Sequence, residues 1–432
     1  MKTLRLVIII TVISLSASAQ QKNFDEFADD FVSGYKALKM PQLDLSYVTN
    51  LQHIGTVAQI KDQQAFFTQI KAGLAAYDQT RLSPLQKTDY QLMAYETGIN
   101  LQRVDLELRW RQAAAQEVPI KGIITLPDGK EWYAYYLKRW VSDDVTPDQI
   151  YRFGLAEVKR VQAHIEAVRK QTGLSEDAFY KQLDDPSFFT SDTNEVKNAF
   201  EHTRAVIYAH LPKLFSVTTV PSLQIKRGEA AALAQTPGYY NNNTFYYNLF
   251  DKPYNKRQYD WLFIHEGVPG HHYQNSIVAG TKVSKVQELF FYIGFAEGWG
   301  AYAEELGKQL GAYQTPYDEM GKWQWDIVRA VRVPLDVALN YYGWTDEQAL
   351  AFWKKNIRGQ DDIALREIAR VRRWPAQAVT YKYGAVQILS WKEALAKKQG
   401  KNFNIKNFHG RILNHGSLPL FMVRENVFKG NG

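Results

Sequence analysis

Three of the nine histidines fall within eight residues, His265-Glu266-Gly267-Val268-Pro269-Gly270-His271-His272, directly behind the apolar run Trp261-Leu262-Phe263-Ile264. This octet constrains the fold more than any other stretch. The run leads into a core, and burying His or Glu there without partners costs several kcal/mol. A divalent cation would hold them. The familiar zinc pattern sets two His four residues apart with a Glu behind the first, and here the spacing is longer. On an unbroken helix six residues turn about 600° and seven about 700°, rising about 1.5 Å each. His271 would point away from His265, and His272 would sit about 10 Å further along the same face. Neither could share an ion held at about 2.0–2.1 Å. Pro269 has no N–H, and its ring clashes with the carbonyl four residues back. Gly267 and Gly270 permit unusual dihedrals on either side. The sequence therefore predicts a helix that bulges or breaks at Val268-Pro269-Gly270 and absorbs two or three residues. Two absorbed residues bring in His271 and three bring in His272, with His271 favoured by its Gly-His context.

A catalytic zinc needs a third protein ligand and an open fourth position. Glu297, within Phe295-Ala296-Glu297-Gly298-Trp299-Gly300-Ala301-Tyr302-Ala303-Glu304-Glu305, is flanked by small residues that allow close helix approach. Glu304 shares its helical face and suits a supporting role behind a ligand. Zinc lowers the pKa of a bound water towards 7. Glu266, beside His265, is placed to take that proton and deliver it to a leaving amine. The expected chemistry is peptide or amide hydrolysis.

The rest of the chain excludes several alternatives. It has 432 residues and no cysteine, which removes disulfides, thiolate metal sites, a Cys nucleophile and a lipid-modified cysteine. The formal charge of +7 is a thin, unclustered excess of 52 basic over 45 acidic residues and argues against a nucleic-acid partner. Lys2 and Arg5, the apolar stretch Leu6 to Leu15 and Ala17-Ser18-Ala19 read as a cleavable signal peptide over residues 1–19, so a secreted or periplasmic protein is expected. No later run is long enough to span a membrane. Helical periodicity dominates, with a short strand expected at Ile123 to Leu126, another within Ser216 to Lys226, and an exposed edge strand in the second half of Thr236 to Asn248. Thr146-Pro147-Asp148-Gln149 is a helix start and Gly173 its stop. The reading is a mainly α, two-lobed architecture with a cleft and a small β element near the site. An N-terminal helical lobe (20–215) packs on a C-terminal lobe (216–432) that carries the zinc-site helices.

The octet, continuing into Tyr273-Gln274, resembles the signature of a bacterial family known as domain of unknown function 885, His-Glu-x-x-Pro-Gly-His-His. Glu297-Gly298-Trp299 with Tyr302-Ala303-Glu304 matches that family's Glu-Gly-Trp block, and weaker blocks extend the resemblance over most of the chain. In plan the family is similar to helical gluzincin-type zinc peptidases, which implies a helical fold with a deep cleft, zinc and peptidase-like chemistry. One departure is Asn340, where the family often carries His.

Other candidates follow from residue type. Tyr246 and Tyr247, on the expected edge strand, would pair with or flank a peptide substrate. Tyr381 would donate a hydrogen bond to an oxyanion, with Tyr383 a rival. Arg332, Arg370 and Arg373 suit a substrate carboxylate. His409 and His415 read as structural. The expected function is a secreted zinc metallohydrolase acting on short peptides. The alternatives are an amidase on cell-wall peptides or other acyl-amine substrates, and a scaffold with a structural metal site.

Overall fold

Short polar residues ahead of apolar runs start many of the helices. Reciprocal side-chain caps join Thr56 to Gln59, Ser83 to Gln86, Thr146 to Gln149, Thr315 to Asp318 and Thr345 to Gln348. Each such cap is worth about 1 kcal/mol. The computed structural model describes residues 23–113, 121–234 and 236–429, so the expected signal peptide lies outside the described residues. The first half holds α1 (Phe24–Ala37), α2 (Tyr47–Gln52), α3 (Val57–Leu74), α4 (Pro84–Gln112), α5 (Gly129–Val141), α6 (Pro147–Thr172), α7 (Glu176–Leu183) and α8 (Thr193–Leu214). The second half holds α9 (Tyr259–Glu266), α10 (His271–Gly280), α11 (Ile293–Glu304), α12 (Pro316–Val337), α13 (Asp346–Asn356), α14 (Ala364–Arg373), α15 (Val379–Gln399), α16 (Ile405–Leu413) and α17 (Leu420–Phe428). The fold is mainly α, as expected. Among the described residues no helix is long and apolar enough to cross a membrane.

The main apolar core draws on residues from Phe24 to Val427 and does not divide at residue 215. A second cluster gathers α6, α7 and α12 to α14 around Trp323, Trp353 and Leu335. α12 lies along α6, with Gly154 packed against Pro334: a Cβ on Gly154 would come within 2.5 Å of the proline ring. α11 crosses α15 at two glycines, where a Cβ on Gly298 would fall 2.7 Å from the α-carbon of Gly384.

Two strand expectations are corrected. Ile123–Thr125 is a 3₁₀ turn closed by Leu126 N–H on the Ile123 carbonyl. Gly122, at φ +111°, turns the chain there, and Ile123 is buried as a plug rather than paired as a strand. The residues of Thr244–Tyr247 form a strand, but not an edge. β1 (Phe189–Thr190) pairs with β5 (Tyr254–Asn255), while β2 (Gln224–Arg227), β3 (Gly238–Asn241) and β4 (Thr244–Tyr247) form a sheet ordered β2-β4-β3. β4 is therefore central, parallel to β2 (Ile225 opposite Phe245) and antiparallel to β3 (Tyr239 opposite Tyr246). The β3–β4 turn is Asn242-Asn243, both at positive φ, the geometry that tight hairpins demand and Asn tolerates. The sheet packs on α9 through β3.

Candidate metal centre

α9 ends at Glu266, one residue beyond His265. Gly267 N–H closes on the Phe263 carbonyl at 2.8 Å, and the chain then leaves helical geometry until α10 begins at His271. Gly270 lies against the end of α9: a Cβ there would sit 1.9 Å from the His265 carbonyl oxygen, so only glycine allows the backbone to fold this closely. Trp299 donates its indole N–H to the Pro269 carbonyl at 2.8 Å, tying the break to α11. The predicted interruption of the helix is present, and it brings His271 onto His265. Their ring centroids are 4.7 Å apart and the planes nearly perpendicular at 81°.

Glu297 comes to the same place from α11. Its Oε2 lies 3.4 Å from His271 Nε2 and 3.7 Å from His265 Nε2. One ligand atom from each of the three residues lies within 4.8 Å of the others. Donors about 2.1 Å from a tetrahedral ion stand about 3.4 Å apart, so these separations fit a common cation. Glu297 Oε2 is buried, and among the described residues it has no hydrogen-bond partner. A buried carboxylate oxygen set between two imidazole Nε2 atoms without a hydrogen bond fits a donor to a cation. Gly300 makes the approach possible, since a Cβ there would meet the His265 ring at 2.8 Å.

His272 does not join this group, which corrects the alternative in which it is a ligand. It is fully buried, with Nε2 2.8 Å from the Pro221 carbonyl and Nδ1 3.4 Å from the Tyr240 hydroxyl. Nε2 therefore carries the proton and donates it. The break turns His272 towards the β sheet and His271 towards α11.

Glu304 supports His265, with Oε1 2.7 Å from His265 Nδ1. Arg329 of α12 reaches both Glu304 oxygens at 2.7 Å and is itself buried. This carboxylate–imidazole pair fixes the ring and leaves Nε2 facing inward, the usual arrangement behind a metal-bound His. Sequence reasoning missed Arg329. Its signal was a cation inside the run Ile327-Val328-Arg329-Ala330-Val331, where only a buried partner makes an Arg tolerable.

The electrostatics of the group follow from these contacts. Burial pulls the His265 imidazolium down, but Glu297 and Glu304 reverse the effect and hold its pKa at about 9. Burial pushes Glu297 up, yet the two imidazoles bring it well below the usual carboxylate range. Glu266 is half-buried, and burial raises its carboxyl. It follows His265 directly at the end of α9, and the charges of His265, His271 and Glu297 act on it.

Tyr381 of α15 also borders the group, its ring 6.4 Å from that of His265. Its hydroxyl accepts from Gln377 Nε2 at 3.1 Å and Arg370 Nη2 at 3.4 Å, which leaves its own proton to be donated. Burial and the nearby Glu297 raise its pKa. Tyr383 instead donates to Asp143 at 2.8 Å.

Three substrate-contact expectations are corrected. Arg332 is buried in an ion pair with Glu367 and faces the Trp325 ring at 5.3 Å, so its charge is already met inside the core. Tyr247 is buried and donates to the Thr193 carbonyl. Tyr246 stacks on Tyr239 at 4.8 Å within the sheet. Neither tyrosine stands on a free edge, because β3 and β2 occupy both sides of β4. His409 is structural, bonded to the Leu214 carbonyl and the Tyr302 hydroxyl.

A cavity of about 470 Å³ between α6, α12 and α13 shares no residue with this group. Its two arginines are already paired, Arg169 with Glu166 and Arg358 with Glu176 and Asp177, and no imidazole lines it.

The profile of a family described as bacterial protein of unknown function (DUF885) matches residues 106–427. Among solved structures, a protein from Shewanella oneidensis designated a lipoprotein of unknown function is similar, with a TM-score of 0.69 and 17% identity, over 94% of this chain and 99% of that one. A protein from Colwellia psychrerythraea designated a lipoprotein is also similar, with a TM-score of 0.66 and 23% identity, over 94% of this chain and 73% of that one. At these identities the likeness shows the fold. No curated protein matches the chain.

Proposed function

We propose, from the premise that the chain belongs to the DUF885 family of bacterial proteins, that it is an exported, zinc-dependent hydrolase of peptide or amide bonds. The observation that carries this reading is the convergence of the buried Glu297 Oε2 and the Nε2 atoms of His265 and His271 on one point, at separations that suit a shared ion. Two imidazoles and one carboxylate are the donor set of many catalytic zinc sites. When bound, the ion supplies Lewis acidity, polarising a carbonyl and acidifying a water.

The chain's own groups then have distinct tasks. His265, His271 and Glu297 hold the ion, and Glu304 with Arg329 fixes the His265 ring. Glu266 takes a proton from the attacking water on its carboxylate and returns it to the nitrogen of the breaking C–N bond, so the products are an acid and an amine. Its raised pKa, set by burial, suits a group that must both accept and return a proton. Tyr381 donates its free hydroxyl proton to the oxygen that gains charge as the carbonyl is attacked.

A scaffold with a structural zinc would fill all four positions with protein ligands. Beside His265, His271 and Glu297 the fourth would have to be His272, whose Nε2 is spent on the Pro221 carbonyl, which favours catalysis. The reading of export draws on the N-terminal sequence pattern and on the lipoprotein designation of the two similar structures. A cysteine-linked lipid is not part of it, since the chain has no cysteine.

Zinc analysis combined with cleavage of a mixed short-peptide library tests the proposal. The wild-type protein is expected to bind one zinc and cleave. Glu266→Gln is expected to keep the zinc and lose turnover by a factor of about 10²–10⁴. A zinc-loaded wild type that cleaves neither peptides nor simple amides sinks the reading.

A further inference from the structure

Four arginines on α12 and α14 (Arg329, Arg332, Arg366 and Arg370) differ in what meets their charge. Arg329 is held by both oxygens of Glu304. Arg332 and Arg366 share the two oxygens of Glu367. Arg370 has only neutral company: Gln377 Oε1 at 3.2 Å, the Tyr381 hydroxyl at 3.4 Å and the Trp374 ring at 5.0 Å. Among the described residues no ion pair joins a carboxylate to it; its buried Nε lacks a hydrogen-bond partner, as do those of Arg329 and Arg332, so the difference lies in the missing ion pair. The one acid known to feel its charge, Glu367, is already taken by Arg332 and Arg366. Arg370 is half-buried, and its guanidinium presents a positive charge that no ion pair among the described residues meets.

The position of that charge gives it meaning. Tyr381 links Arg370 to the metal centre, with its hydroxyl on the guanidinium and its ring beside His265. Gln377 bonds both Arg370 and Tyr381 and sets their spacing. An anion meeting Arg370 would reach Nη1, since Nε is buried and Nη2 already donates to Gln377 and Tyr381, and a carboxylate suits a charge-assisted bond there. One side chain separates this guanidinium from the ligands, so the anion and the reacting carbonyl would belong to the same short molecule.

We propose that Arg370, positioned by Gln377 and Tyr381, binds the free C-terminal carboxylate of a short peptide and so makes the enzyme a carboxyl-end exopeptidase. The inference rests on the hydrolase reading above. Of the three arginines that the sequence offers for a substrate carboxylate, it selects Arg370.

The test uses the Glu266→Gln protein, loaded with zinc, and titration calorimetry with one short peptide in free-acid and C-terminally amidated forms. The free acid is expected to bind at least tenfold more tightly. In the same background Arg370→Ala should abolish that difference while leaving zinc content and the amide's affinity unchanged, and Arg370→Lys should restore part of it. Equal binding of the two forms, no binding of either, or an equal loss for both on Arg370→Ala overturns the proposal. Wild-type turnover of the same peptides is read in parallel. Cleavage without acid-over-amide preference removes the carboxylate site and leaves the hydrolase. Preference in binding without any cleavage removes the hydrolase and leaves the site.

Discussion

Two buried charge clusters meet on α12, three residues apart, and they differ in how their charges are closed. In the first, Lys382 Nζ lies 2.8 Å from both oxygens of Asp326 and 3.4 Å from Glu157. Lys322 Nζ lies 2.7 Å from Glu305 and 3.6 Å from Asp326, and Arg160 holds Glu157 at 2.8 Å. Every charge there faces an opposite one. Burial works against the Asp326 carboxylate, but Lys382 and Lys322 hold it well below its usual pKa. In the second cluster Arg329 and Glu304 close on each other, while Glu297 meets only the two imidazoles and makes no hydrogen bond. The first cluster is closed by hydrogen-bonded ion pairs, and the second gathers donors that a cation could share. Asp336, also on α12, shows that an orphan oxygen alone is not enough. Its Oδ2 is buried without a partner, yet no imidazoles flank it, and burial simply raises its pKa to about 7. An open charge marks a binding site when other donors converge on it, and otherwise it picks up a proton.

The closed cluster gives the largest expected effect. Lys382→Met strands Asp326 in the interior and should cost about 3–5 kcal/mol of stability in denaturant titration, with zinc affinity of the folded protein unchanged. A large loss of zinc affinity would mean that the two clusters are one. Asp336 comes next. Its folded pKa lies above the unfolded carboxylate value, so the stability it contributes is full below about pH 4 and is lost as pH rises through about 7. Asp336→Asn should flatten that decline and gain roughly 2–4 kcal/mol over wild type at pH 9. An unchanged pH profile would show that Asp336 is already satisfied. The smallest effect separates support from ligation. Glu304→Gln should weaken zinc binding by about 10–100-fold in chelator competition. Unchanged affinity would reduce Glu304 to a structural partner of Arg329.

Helix starts were legible in the sequence because caps are local: Thr146 and Gln149 meet as predicted, and Gly173 ends α6 in the left-handed region. The break at Pro269 was legible for the same reason. Which histidine it delivers was less so, because a break fixes the place of a turn and not its direction. His271 reaches Glu297 and His272 reaches Pro221 only through contacts with α11 and the segment before β2. Strand order was invisible, since aromatic alternation in Thr244–Tyr247 suits a central strand as well as an edge. Arg332 and Arg370 look alike in sequence. Glu367, on the facing helix, separates them by claiming the first.

Where α11 and α15 cross, the α-carbons of Gly298 and Gly384 approach with no side chain between them. The residue that precedes Gly298 is Glu297, so one donor of the group is registered against the next helix by main chain alone. A protein engineer transplanting this centre would have to move that glycine-on-glycine junction along with the three donors, because the donors by themselves are the reagents without the jig.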